Sequence, residues 1–399
     1  MREVDEAYRR EWARVLAATV RLVGDLDLAE ECVQDAFVRA VEVWTAEGVP
    51  PNPGGWLTTT ARRRAVDVLR REQTLRRKLP LLVPEDPGPP PPDLLRLVFT
   101  CAHPALAPDA RLTLTLRMVC GLSTAQIAAA MLVPEATAAA RLTRAKKKVT
   151  AARIPYRVPA ERDLPARLDT VLGVVHLVHT AGHTAADGDS LLQVDLVERA
   201  IDLARTLHRL MPDEREVRGL LALLLLTDAR RPARTDAAGD LVLLEDQDRS
   251  LWRADLVAEG RALVRSAIGR SRYVIQAAIA AVHAEAATWA DTDWPQILGL
   301  YDLLLTVEPS PVVALNRAVA VAMVDGPDAG LVATDALADD PRLRGYPYLP
   351  ATRADLLRRL GRHAEAAQAY REALDLTRNG AERAYLARRL SGVDARLAW

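Results

Sequence analysis

A chain of 399 residues, half of them hydrophobic, has material for two or three separate cores. Its 53 Lys and Arg balance 53 Asp and Glu, and only 4% of its residues are aromatic. No apolar run reaches the roughly eighteen residues that a membrane helix needs; the longest, LLALLLL at 220–226, is far short. The opening MREVDEAYRREW is charged and has no apolar stretch of the kind a secretion signal carries. Cys32, Cys101 and Cys120 lie far apart with no CxxC pair, which predicts buried thiols in a reducing cytoplasm. Ala, Leu and Arg dominate, and no strand pattern of useful length occurs, so the expected fold class is all-α.

The charge balance hides an asymmetry. Residues 1–155 carry 23 basic and 18 acidic side chains, and the remainder carries 30 and 35. The surplus is local: 62–78 has eight basic and two acidic residues, and 141–153 has six basic and none acidic. Two such clusters on an otherwise balanced chain point to polyanion contact at two places.

The first helical block is expected over residues 1–80. Within it PPNPGGWLTTTARRRAVDVLRRE (50–72) opens on Pro and Gly and continues as a helix. Projection at 100° per residue puts Leu57, Ala61, Ala65 and Val68 on an inward stripe. Trp56, Thr59, Arg63, Asp67 and Arg70 share another face. A ring for stacking followed by guanidiniums for phosphates suits single-stranded nucleic acid, with the GVPPNPGG loop able to hold an unstacked base. The plain alternative is that Trp56 fills the core and the arginines are a solvated face.

VPEDPGPPPPD (83–93), with six prolines, predicts a semi-rigid spacer, taken as 81–95. The next block, 96–155, contains GLSTAQIAAAMLVPEATAAARLTRAKKKV (121–149). Ser123 and Gln126 form a capping box for a short helix. A turn at LVP leads to a helix from Glu135 to Val149 with Ala138, Leu142, Ala145 and Val149 buried. Ala136, Ala140, Arg141, Arg144, Lys147 and Lys148 face away. The unit reads as a helix-turn-helix whose second helix enters the major groove N-terminal end first. Its alanines allow close approach but few hydrogen bonds, so readout leans on thymine methyls, DNA shape and Arg141 or Arg144.

Residues 156–399 read as a helical array. Pro212, Pro309 and Pro341 are separated by 97 and 32 residues, near multiples of a unit of about 33. The clearest unit is DLLRRLGRHAEAAQAYREAL (355–374), a tetratricopeptide-like pattern with Leu360-Gly361, Ala366, Tyr370 and Ala373 at helix contacts. His176, His179 and His183 recur on one helical face, a spacing that admits zinc, but with no tightly spaced Cys or acidic ligand, core or interface histidines are the preferred reading. The charged interruption RRPARTDAAGDLVLLEDQDRSLW (230–252) holds Asp240, Glu245, Asp246 and Asp248, which could form a cation or partner site, although a solvated loop is the preferred reading.

Two DNA-contacting blocks joined by a spacer are the layout of a bacterial sigma factor, and the residues go further. DLDLAEECVQDAFVRAVEVW (25–44) followed by WLTTTARRRAVDVLRRE (56–72) resembles region 2 of extracytoplasmic-function sigma factors, a group of the sigma-70 family. The stretch 121–149 resembles their region 4, and the chain beyond 155 is similar to the subgroup with a long tetratricopeptide-like extension. The likeness covers nearly the whole chain.

This resemblance implies a role in transcription initiation with two main partners, RNA polymerase core and promoter DNA. By position it implies that Asp35, Phe37, Glu42 and Trp44 lie on the helix that binds the polymerase clamp. An acidic face of Glu30, Glu31 and Asp35 can pair with basic polymerase residues, with Phe37 and Trp44 as anchors; the alternative puts these rings in the core, which is expected for at least one of them. Trp56, Thr59, Thr60, Arg63, Asp67 and Arg70 match the part that opens and reads the minus-10 element, although family members commonly have Asn where this chain has Arg63. Glu135, Thr137, Arg141 and Arg144 match the minus-35 reader, and Ala136, Ala140, Lys147 and Lys148 share that helix's outer face. No catalytic residue, cofactor, metal or membrane contact is implied. The array is expected to regulate the DNA-binding part in cis or to hold a peptide or protein partner. A polymerase-independent helix-turn-helix regulator with a helical sensor is the competing reading. An enzyme is not expected, since no nucleophile triad, Walker loop or dinucleotide fingerprint occurs.

Overall fold

The computed structural model describes residues 2–71, 93–131, 133–160, 163–185, 191–267 and 269–397. It is all-α: among the described residues the one β feature is an isolated antiparallel bridge between Thr235 and Leu241. The chain divides into two compact units, Met1–Val178 and His179–Trp399. The proline run of the expected spacer lies outside the described residues.

The first unit begins with three helices that pack on one another: α1 (Arg2–Val23), α2 (Leu26–Glu47) and α3 (Pro53–Arg71). Gly24, at φ +69°, turns the chain after α1, and Asp25 caps α2 by accepting from the Leu28 amide at 2.9 Å. Asn52 caps α3 through the Gly55 amide, with Pro53 at the first helical position, where its missing N–H costs nothing. Trp12, Leu16, Val33, Ala36, Leu57 and Ala61 are fully or almost fully buried between them. Leu69, rather than the expected Val68, completes the buried stripe of α3.

Four helices follow: α4 (Asp93–Cys101), α5 (Pro108–Met118), α6 (Thr124–Met131) and α7 (Glu135–Ala151). The capping box is present, with the Ser123 amide donating to Gln126 Oε1 at 2.9 Å and the Gln126 amide to Ser123 Oγ at 3.2 Å. Ala138, Ala145 and Val149 are buried as expected, while Leu142 is half-buried. All three cysteines are buried and outside any disulfide, and burial pushes the Cys32 thiol up to about 11. α8 (Leu164–His183) carries the boundary; its early part belongs to the first unit, where Arg167 donates to the Phe99 carbonyl at 2.7 Å.

The two groups of helices are joined through specific polar contacts. The Trp12 indole donates to the Met118 carbonyl at 3.1 Å, and the Tyr8 hydroxyl to that of Gly121 at 3.0 Å. Glu30 of α2 accepts from Arg117 Nε at 2.5 Å and from Lys146 Nζ of α7 at 2.6 Å. Lys146 also donates to Asp27 at 2.7 Å. Burial works against the Lys146 charge, but bonds to Asp27 and Glu30 outweigh it and hold its pKa above the ordinary lysine value.

The second unit is a run of helices that each pack on their neighbours in the chain: α9 (Val194–Leu210), α10 (Arg215–Asp228), α11 (Ala254–Ser266), α12 (Arg272–Glu285) and α13 (Trp294–Val307). It continues with α14 (Pro311–Val324), α15 (Pro327–Asp335), α16 (Tyr348–Arg359), α17 (His363–Leu376) and α18 (Gly380–Leu397). The punctuating prolines Pro212, Pro309 and Pro341 all fall outside the α-helices, with Pro341 opening a single 3-10 turn. The alternate helices α13, α15 and α17 start 33 and 36 residues apart. Ala366, Tyr370 and Ala373 are buried as expected, with Gly361 at φ +73° turning α16 into α17. α10 and α12 approach so closely that a Cβ on Gly219 would stand 2.7 Å from the Val274 amide nitrogen, which only glycine permits.

Candidate nucleic-acid interface

α3 turns a cationic face outward. Thr59, Arg63, Asp67 and Arg70 are exposed and line one open hollow of about 490 Å³ with Arg62 and Val66. Arg62 and Val66 were not singled out in the sequence; their spacing from Arg63 and Arg70 on the helix was the available signal. Arg64 stays out of this set, because it donates to Asp35 at 2.7 Å and lies 3.9 Å from Glu31. Thr59 and Thr60 donate their hydroxyls to the Gly55 and Trp56 carbonyls, each at 2.9 Å, so toward a ligand these oxygens act as acceptors.

Trp56 stands between its two sequence readings. It is half-buried and meets Trp44 edge to face, with ring centroids 5.4 Å apart at 64°. Trp44 thus packs against Trp56, which is half-buried one turn before Thr60 on α3.

The α2 expectations need correction. Phe37 is 6% exposed and Trp44 4%, so neither ring is an anchor for a partner. Phe37 packs on Tyr8 at 4.9 Å and on Trp12 at 6.1 Å. Glu30, expected on an open acidic face, is buried and held by Arg117 and Lys146. Asp35 is exposed but paired with Arg64, and Glu42 is exposed. The apolar groups that α2 does present are Val38 and Val41, 61% and 43% exposed, on the side of Asp35 and Glu42. Sequence reasoning missed them; two valines off the stripe formed by Val33, Phe37, Ala40 and Trp44 were the signal.

On α7, Glu135, Ala136, Ala140, Arg144, Lys147 and Lys148 are exposed, and Thr137 and Arg141 are half-buried. Arg141 pairs with Asp109 at 3.2 Å, whereas no carboxylate among the described residues pairs with Arg144. The helix therefore offers one tethered and one free guanidinium behind a small N-terminal surface, followed by two lysines. Arg144→Ala is expected to weaken binding to a cognate duplex by about 1–3 kcal/mol, measured by fluorescence anisotropy. Arg141→Ala should cost less, since its removal also relieves the pairing with Asp109. Equal loss on random duplex would limit Arg144 to phosphate contact.

His179 is buried and stacks on His183 with centroids 5.6 Å apart. Burial, with Arg234 and His179 adding repulsion, pushes the His183 pKa far below the ordinary imidazole value. Among the described residues no group of three or more His, Cys, Asp or Glu is placed to hold a metal. No described helix is long and apolar enough to cross a membrane.

Three family profiles match this chain. Residues 7–74 match Sigma-70 region 2, 96–149 match Sigma-70 region 4, and 167–268 match a family of unknown function, DUF6596. A relative from Rhizobium meliloti (strain 1021), described as an uncharacterized protein, R00370, is 42% identical over 402 residues. That alignment spans 96% of this chain and 94% of the relative.

Proposed function

The chain belongs to the sigma-70 family, and we propose that it is an alternative sigma factor of the extracytoplasmic-function group. In this role it binds RNA polymerase core, recognises promoter DNA at two elements and helps to melt the duplex. The observation that carries the reading is the single open face of Thr59, Arg63, Asp67 and Arg70 within region 2, followed along the chain by the exposed Arg144, Lys147 and Lys148 within region 4. The first face has acceptors, cations and an adjacent ring suited to an unstacked strand; the second suits a duplex groove.

α3 offers the minus-10 contacts and α7 the minus-35 contacts. On α2, Asp35, Val38, Val41 and Glu42 offer polymerase a surface of two apolar side chains rimmed by carboxylates. The polymerase supplies the chemistry. The second unit is a tetratricopeptide-like array that governs the first in cis, or holds a peptide or protein, in the cytoplasm. Truncation after Val178 tests the cis role more cleanly than truncation at 155, because Arg167 and Arg111 tie α8 to the first unit. Unchanged promoter activity in the truncated protein under all conditions removes that role.

Run-off transcription with purified core polymerase tests the main reading. The chain should associate with core and give transcripts from a mapped promoter. A chain that does not associate with core ends the proposal. Trp56→Ala should reduce open-complex formation by about 1–3 kcal/mol per lost stack and leave closed-complex binding nearly unchanged. A pre-melted template should rescue it, with thermal unfolding as the control for the lost Trp44 contact.

A further inference from the structure

The charged interruption between α10 and α11 is solvated only in part: 236–239, Glu245 and Asp246 are exposed, but 240–244 are half-buried. Its 240–245 portion lies against α16 and α18, pinned by Arg388, which donates to Asp240 at 2.7 Å, and by Arg389, 3.5 Å from Glu245. With Val319 of α14, these elements enclose a half-open cavity of about 330 Å³. That volume falls in the range of small-molecule sites. Leu241 and Leu243 of the strap, with Leu356 and Leu386, give it apolar walls.

Two carboxylates reach this apolar space, and each has only one oxygen committed to the protein. Glu382 accepts the Tyr348 hydroxyl on Oε1 at 2.6 Å. Asp355 accepts both Arg358 bonds on Oδ1, at 3.1 and 2.6 Å. Among the described residues no hydrogen bond falls on Glu382 Oε2 or Asp355 Oδ2. Burial raises the Glu382 pKa, with the Tyr348 bond and the more distant Arg234 acting in the opposite direction. A donor at Glu382 Oε2 would gain a charge-assisted bond beside apolar walls, whereas Asp355, its side chain 37% exposed and paired with Arg358, is screened by solvent and by that cation. Arg359, the cation on the lining, is exposed.

We propose that the second unit holds a binding site for a small amphipathic amine, its ammonium on Glu382 and its apolar body between the strap leucines and α18. This goes beyond promoter recognition and gives the array a chemical input that can be measured without polymerase or DNA. It also accounts for a long segment inserted among short helix connections, since the strap forms one wall of the site.

The test uses the full-length chain and three probes of one length: n-hexylamine, n-hexanol and sodium hexanoate. Saturation-transfer NMR and thermal shift read the binding. Hexylamine should bind at least about tenfold more tightly than hexanol, and hexanoate more weakly than either. Glu382→Gln keeps the Tyr348 bond but removes the charge, and should bring hexylamine to the level of hexanol with the circular dichroism spectrum unchanged. Leu243→Arg should abolish binding of all three probes by filling the cavity. Hexylamine binding no tighter than hexanoate overturns the proposal. So does a preference that survives Glu382→Gln, or no binding of any probe at millimolar concentration. None of these outcomes bears on the sigma reading, which is decided by core association.

Discussion

Glu30→Ala is expected to destabilise the first unit by about 3–5 kcal/mol, a large effect for one carboxylate. The Glu30 side chain is 8% exposed and serves two cations that are themselves 13% and 12% exposed, Arg117 and Lys146. Its removal leaves both cations near each other with their counter-charge gone. Arg117 keeps its bond to the Leu122 carbonyl at 2.7 Å and its place over the Trp12 ring. Lys146 keeps only Asp27, which is 70% exposed and therefore well screened. Glu30→Gln should fall between wild type and alanine, and the Glu30→Ala/Lys146→Ala double variant should lose less than the two single losses added. Hydrogen exchange of α2 and α7 amides reads this unit without a global two-state assumption; a change below about 0.5 kcal/mol would show the triad to be energetically idle. A functional consequence follows if the chain reads two promoter elements. Their names put them about 25 base pairs, or roughly 85 Å, apart on B-DNA, yet α2 and α7 share one carboxylate here. On that reading the contact parts on the promoter, and Glu30→Ala should raise promoter affinity as it lowers stability.

Trp12→Ala is expected to cost about 3–5 kcal/mol, at the upper end for a single core residue. The ring is 1% exposed, lies 4.9 Å from Tyr8 and 6.1 Å from Phe37, and has the Arg117 guanidinium 5.8 Å from its centroid. Its indole N–H also satisfies the Met118 carbonyl at the end of α5. Trp12→Phe separates the parts: it keeps most of the apolar area and strands the carbonyl, for a loss of about 1–3 kcal/mol. Urea unfolding followed by far-ultraviolet circular dichroism measures both. An alanine variant no worse than the phenylalanine variant would mean that the cavity collapses and that the hydrogen bond, not packing, is what Trp12 contributes.

Much of the candidate interface was legible in the chain because it is local. The capping box at Ser123 and Gln126, the turn before Glu135, and the grouping of Thr59, Arg63, Asp67 and Arg70 depend on helical periodicity alone, and α3, α6 and α7 obey it. The prolines at 212, 309 and 341 marked helix breaks because a missing N–H and a fixed φ act wherever they occur. What periodicity cannot say is which of two polar or apolar faces meets another helix. Glu30, Glu31 and Asp35 look alike in sequence, yet only Glu30 is sealed beneath Arg117 and Lys146, because those cations lie 87 and 116 positions away on other helices. Phe37 and Trp44 went inward and Val38 and Val41 outward for the same reason: burial is decided by the partner surface, and α1 and α3 supplied it. The sequence by itself determined the helices, their caps and the two basic faces, since these follow from interactions within a few residues. Only the tertiary structure decided that α2 and α7 share a buried carboxylate and that a charged insertion walls a cavity, since both depend on side chains brought together over more than a hundred residues of chain.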